Sequence, residues 1–193
     1  MNISGLDNDP GASPPFAPFL VHAPHERSFV RFLVAIVAVD VVGYSALMEA
    51  DDVGTARRLR LLRGTLLEPT TRLFGGSLFS IAGDGAMACF SSAKAAVACA
   101  VTIQRRLDGP RASWGLRLRI GISYGSVLQI GQELYGAPLN VAARLEAQAG
   151  PGEILASGAT VERAQGLPGV CFHYLGEWRL AKMDVPCSAY RVL

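Results

Sequence analysis

The sequence predicts an α/β (α+β) sandwich, with helices packed on a mixed sheet, and three observations carry that expectation. Residues 31–40, RFLVAIVAVD, are continuously apolar and β-branched up to a closing aspartate, as in a strand buried on both faces. Residues 51–74 then place Val53, Leu59, Leu62, Leu66 and Leu73 near helical spacing, with arginines between them. Two short apolar runs around Gly83-Asp84-Gly85 read as an antiparallel hairpin.

The remaining elements follow in chain order. Residues 1–27 carry Pro10, Pro14, Pro15, Pro18 and Pro24 among Gly, Ser, Asn and Asp, a composition that sustains neither helix nor central strand, and they read as a flexible proline-rich leader. The folded domain is expected over 28–193, since a chain of 193 residues supports one well-formed core. After the first strand, Gly43 lets the backbone turn before the short apolar piece Ala46-Leu47-Met48. The helix over 51–74 stops at Gly75-Gly76, and the hairpin pairs 77–82 with 86–90, leaving Asp84 at its tip. An alanine-rich helix spans 92–107. Residues 116–131 alternate and contain Gly121, Gly125 and Gly131, which predicts two strands with a turn near Tyr124-Gly125. Pro138 sits where the first turn of a helix tolerates it, and that helix runs through Asn140 and Arg144 to Gly150-Pro151. The tail from residue 152 reads as strand, short helix and two strands, and no internal repeat occurs.

Composition narrows the functional classes. A net charge of +2, with arginines scattered through the chain, leaves no nucleic-acid footprint. The longest apolar run, 32–39, falls far short of the roughly 20 residues of a membrane span. Cys89, Cys99, Cys171 and Cys187 show no CxxC pairing, and His22, His25 and His173 are not spaced with them as zinc ligands. They are expected to be reduced core thiols in a cytoplasmic protein, for the N-terminus lacks a secretory signal.

Two carboxylates stand out against this apolar background. Asp40 ends a buried strand, and Asp84 lies on a hairpin tip that a mixed sheet can bring beside it. Two carboxylates forced together repel unless a cation lies between them, and oxygen ligands suit Mg2+ or Mn2+. Taken singly, each aspartate is equally well a turn or cap residue. If residues 46–48 begin a helix, free N–H groups over 42–45 offer a seat for phosphate oxygens, and a cation beside a phosphate means nucleotide chemistry. The sequence contains no GxxxxGKS or GxxxxGKT loop and no GxGxxG after a strand, so neither a P-loop hydrolase nor a Rossmann oxidoreductase is supported. Asn140 and Arg144, four apart, share one helix face, where they either stabilise charge on phosphoryl oxygen or form a solvated intrahelical pair. Arg119 is either a phosphate ligand or an outward-facing strand residue.

Several segments together resemble the catalytic domain of class III nucleotidyl cyclases: AVDVVGYSAL (38–47), GGSLFSIAGDGAMACF (75–90), LRIGISYGSV (118–127), LYGAPLNVAARLEAQAGPGEILAS (134–157) and LGEWRLAKMDVPCSAYRV (175–192). The resemblance covers about 29–193 and implies a ferredoxin-like core. It implies a head-to-tail homodimer that cyclises ATP to 3′,5′-cyclic AMP and pyrophosphate with two Mg2+ or Mn2+ ions per site. Asp40 and Asp84 match the metal-binding aspartates, with the Val41 carbonyl as a further ligand. The backbone of Val42, Gly43, Tyr44 and Ser45 matches the phosphate-binding turn, and Arg119 an arginine that contacts the leaving phosphates. Asn140 and Arg144 match the pair that orients the ribose and stabilises the transition state, contributed by the subunit opposite the metal aspartates.

Three positions depart from the family pattern. Ser80 stands where a lysine often reads adenine, Glu133 occupies the partner acidic or threonine position, and Ala181 replaces the phosphate-contacting lysine, with Lys182 one place later. These departures keep two alternatives in view: a weak or inactive pseudo-cyclase acting as a nucleotide-binding, dimerising regulatory module, and a guanylate cyclase. The input signal is not legible.

Overall fold

The computed structural model describes residues 29–109, 114–181 and 186–193. The leader expected over 1–27 and Lys182 both lie outside the described residues.

The first apolar run forms strand β1, Phe29–Val41, which lies inside an eight-stranded sheet and is fully buried over 34–39. Because side chains alternate across a strand, Ala35, Val37, Val39 and Val41 enter one core cluster while Val34, Ile36 and Ala38 enter another on the opposite face. Asp40 continues the second set, which fixes the face on which its carboxylate emerges.

The single helix expected over 51–74 is divided. Helix α1 covers Tyr44–Ala50 and α2 covers Asp52–Leu62; a five-residue π-helical turn, Arg63–Leu67, then leads into α3, Glu68–Leu73. Asp51 separates α1 from α2 as an N-cap, its side chain accepting from the Gly54 N–H at 2.8 Å. The π turn precedes Pro69, which lacks an N–H and whose ring crowds the carbonyl four residues back, so the turn widens there.

The hairpin forms as predicted, with β2, Gly76–Ala82, antiparallel to β3, Gly85–Phe90. Helix α4, Ala93–Leu107, starts at Ser92, whose hydroxyl accepts from the Ala95 N–H.

Residues 116–131 do not make two strands. Leu118–Ile130 is one strand, β4, paired with β1 along its whole length, and the chain turns only at Gly131 before the short β5, Glu133–Tyr135. Gly121 and Gly125 serve close packing instead of a turn. A Cβ on Gly121 would stand 2.1 Å from the Ala142 carbonyl oxygen and 2.3 Å from the Glu146 nitrogen, and one on Gly125 would stand 2.9 Å from the Pro138 ring. Helix α5, Ala137–Gln148, lies directly on that glycine surface and buries Val141, Ala142 and Leu145.

The tail follows expectation: β6, Ile154–Ser157, is parallel to β4; α6 covers Gly158–Ala164; β7, Phe172–Trp178, and β8, Cys187–Val192, complete the sheet. The strand order is β2-β3-β1-β4-β6-β8-β7, with β5 paired to β4. Residues of α2, the π turn, α4 and α6 cover one face, and α5 packs on the other.

The four cysteines are free thiols, but only Cys89 and Cys99 belong to the core, where burial pushes both up to about 12. Cys171, just before the edge strand β7, is exposed, and Cys187, at the start of β8, is half-buried. Among the described residues no helix is long and apolar enough to cross a membrane.

Candidate active site

The register of the sheet builds the first half of the site. Val39 on β1 pairs with Ala86 on β3, so the next residue of β1, Asp40, lies beside the Gly83-Asp84 turn. The Asp84 side chain stands against that of Asp40, and its carboxyl is raised above the usual range, first by burial and then by Asp40. Its own backbone N–H and that of Val41 act in the opposite direction. The Val41 N–H thus faces the Asp84 carboxylate.

On the other side of Asp40, β1 pairs it directly with Arg119 of β4. The guanidinium donates to Asp40 Oδ2 from Nε at 3.0 Å and from Nη2 at 2.6 Å. The same Nε stands 2.6 Å from Glu146 Oε1. Its single N–H already points at Asp40, so Glu146 Oε1 keeps a charge contact and no hydrogen bond among the described residues. Burial, and then the negative charge of Asp40, push Glu146 up to about 7, against the pull of Arg119. Arg119 is therefore neither outward-facing nor free: it bridges two carboxylates.

A cavity of about 130 Å3 opens here, lined by Asp40, Ser80, Ala82, Gly85, Ala143 and Glu146 among others. Ser80 sits just past a bulge in β2 and offers a small polar wall where a longer side chain would fill the space.

Asn140 and Arg144 are elsewhere. Ala143 and Glu146 present one flank of α5 to the Asp40 cavity, whereas Arg144, Ala147 and Gln148 present another to a separate cavity of about 400 Å3. Trp178, Leu180 and Ala181 line that second cavity. Asn140 is exposed, and neither its amide nor the Arg144 guanidinium has a side-chain partner among the described residues, so the pair is not tied up along the helix. Glu133, on β5, is exposed and accepts a hydrogen bond from the Tyr135 hydroxyl. Residues 42–45 cross a turn into α1, with Gly43 as its N-cap at φ 69° and no side-chain cap; the Val42 N–H donates to the Arg117 carbonyl at 2.9 Å, so the expected phosphate seat is narrowed to 43–45.

The donor set suits a hard cation. Two aspartate carboxylates and the Val41 backbone converge, with no imidazole lining the cavity. Among the described residues no three His, Cys, Asp or Glu form a complete cage. Mg2+ and Mn2+ favour such an incomplete oxygen set, because they retain water and accept substrate phosphate oxygens. The Asp84 carboxyl is raised first by burial and further by the neighbouring Asp40, and a cation bound between the two would oppose both.

Glu146 is the residue sequence reasoning missed. Its signal was present: it lies four places after Ala142 on the sheet-facing side of a helix, where an acid needs a reason.

No family model matches the chain. Among solved structures, an adenylate/guanylate cyclase/hydrolase from Silicibacter pomeroyi superposes with a TM-score of 0.76 at 34% identity, covering 85% of this chain and 98% of that one. The adenylyl cyclase CyaB from P. aeruginosa has the same fold, with a TM-score of 0.78 at 20% identity over 86% of this chain and 96% of that one. The Rhizobium meliloti protein named "Putative adenylate cyclase 3" is 33% identical over 165 residues, 83% of this chain; the chain spans 28% of that relative's length. With the strand order, the paired aspartates and the Asn140–Arg144 helix in place, these likenesses identify the chain as a member of the class III adenylate/guanylate cyclase family, in the part that forms its catalytic domain.

Proposed function

We propose that this chain is an adenylate cyclase that converts ATP to 3′,5′-cyclic AMP and pyrophosphate as a homodimer with shared sites. The observation that carries the reading is the separation of the two half-sites. Asp40 and Asp84 meet at one flank of α5 while Asn140 and Arg144 face another, so one chain supplies each half to a different site.

Asp40, Asp84 and the Val41 carbonyl would hold two Mg2+ or Mn2+ ions. Bound there, the ions would lower the pKa of the ribose 3′-hydroxyl and neutralise departing pyrophosphate. Within the turn over 42–45, the Val42 N–H is taken by the Arg117 carbonyl, and the N–H groups of 43–45 remain for the phosphates. The 3′-oxygen forms a bond to the α-phosphorus, its proton leaves, and the α-phosphorus releases pyrophosphate. Arg144 of the second copy stabilises the charge that spreads over the α-phosphoryl oxygens, and Asn140 orients the ribose. Arg119 stands between Asp40 and Glu146, so it keeps an anionic partner when Asp40 turns to a cation and can extend toward the leaving phosphates. Ser80 and Glu133 are assigned to the base, and Lys182 to the phosphates in place of Ala181. A cytoplasmic location belongs to the same reading.

The test is purified protein with ATP or GTP and Mn2+, scored for cyclic product across a dilution series. Cyclic AMP with specific activity falling on dilution supports the proposal. Cyclic GMP would move the assignment to guanylate. A second reading, a regulatory module that binds nucleotide without turnover, is favoured by Arg119 occupying Asp40 and by Ala181 lining the Arg144 cavity. Nucleotide binding with no product from either substrate would establish it.

A further inference from the structure

Asp84 is steadied from the β1 side, by Asp40 and the Val41 N–H, but its hairpin is open on the β2 side. The last three residues of β2, Ser80, Ile81 and Ala82, are exposed, β2 is an edge strand, and Gly83 turns the chain at φ 58° immediately before the aspartate. Contacts from β1 alone leave the β2 side of the tip free to move unless a second element holds it.

The only side chain of the described residues seen to donate to that tip from another element is Arg63, whose Nη2 donates to the Gly83 carbonyl across twenty residues of sequence. Arg63 is the first residue of the π-helical turn, and its own carbonyl accepts the N–H of Glu68, five residues on. A π turn shifts every residue on one side of it by about 100° relative to an unbroken α-helix, and such turns recur where a helix must aim a functional group. Its cause is in the sequence, since Pro69 cannot continue the α-helical ladder. The Arg63 Nε is buried without an acceptor among the described residues, so the guanidinium holds its position at the cost of one unsatisfied donor. That is the mark of a side chain placed for its far end.

We propose that Arg63, aimed by the π turn before Pro69, is a positioning residue that fixes the Gly83-Asp84 turn so that Asp84 meets Asp40 in ligating geometry. The inference rests on Asp84 being a metal ligand, as proposed above. Arg63 touches neither metal nor nucleotide and acts through the Gly83 carbonyl.

Two measurements on the full chain test it. Amide hydrogen exchange over 82–86 reads the tie directly in metal-free protein. Arg63→Ala should speed exchange there by about tenfold, Arg63→Lys should restore part of the protection, and Pro69→Ala should loosen the same segment with Arg63 untouched. A Mn2+ titration, read from the paramagnetic signal of the free ion in the presence of a non-cyclisable ATP analogue, should show binding about tenfold weaker in Arg63→Ala at an unchanged melting temperature. Unchanged exchange over 82–86 in Arg63→Ala overturns the tie. Asp84→Ala in the same titration separates the two readings. Binding lost there but intact in Arg63→Ala overturns the positioning role alone; binding intact in Asp84→Ala overturns the metal site and this inference with it.

Discussion

The two flanks of α5 differ in how far their charges are already satisfied. On the β1 side Asp40, Asp84, Arg119 and Glu146 form a closed set, in which Arg119 bridges Asp40 and Glu146 and Asp84 stands against Asp40. On the other side Asn140 and Arg144 have no side-chain partner among the described residues; Asn140 is exposed and Arg144 lines an open cavity. A folded chain seldom leaves an arginine idle in a cavity while spending a second arginine on two carboxylates a helix-width away. The difference teaches that the first flank is assembled by folding alone, and it is the second that the proposed dimer would complete.

Removing a group from the closed set should have the larger effect. Asp84→Ala should lower cyclic-product formation to below about 1% of the parent protein in a Mn2+-supported assay, because the cation loses one of its two carboxylates. Activity above that level would mean that the aspartate pair is not the metal site.

Arg144→Ala should lower kcat by about 100-fold while Mn2+ binding and melting temperature stay put, since Arg144 stabilises charge only in the transition state. A change in KM alone would reassign it to ground-state binding.

The wall between the flanks can be broken from the strand side. Gly121→Ala places a methyl 2.1 Å from the Ala142 carbonyl, which forces α5 off β4. The expected cost is about 3 kcal/mol in denaturant unfolding, with both half-sites impaired together. A stable protein with full activity would show that close helix contact is not what sets the two flanks.

The smallest effect sharpens the charge contrast through pH. Burial and the charge of Asp40 push Glu146 up to about 7 in the folded chain, above the 4.5 of a free glutamate, so the folded state holds this proton more tightly than the unfolded state. Its favourable contribution is complete below about pH 4.5 and is lost as pH rises through about 7. Metal-free parent protein should therefore lose a few degrees of melting temperature between pH 5 and about 8 relative to Glu146→Gln, whose profile is flatter. Parallel profiles would remove Glu146 from the titrating set.

Much of this arrangement was legible before any coordinates. Asp40 at the end of a buried run and Asp84 between two glycines were readable because strand alternation and hairpin geometry are local rules. The helix through Asn140 and Arg144 was readable for the same reason. Three features were not. Gly121 and Gly125 look like turn residues in a one-dimensional pattern, and only the approach of α5 shows that they make room for a helix. The π turn depends on how the chain relieves Pro69, which spacing alone does not specify. The role of Arg119 arises from a cross-strand pairing 79 residues apart in sequence, and a long-range register carries no local signal.

The central claim, that each active site takes its aspartates from one copy and its Asn140–Arg144 pair from another, is tested most directly by mixing two inactive proteins. Asp84→Ala and Arg144→Ala should each be nearly inactive alone. Combined in equal amounts and allowed to exchange subunits, they should recover about a quarter of the parent activity, since half of the dimers are mixed and each of these holds one intact site. No recovery, with mixed dimers shown to form, would contradict the shared site.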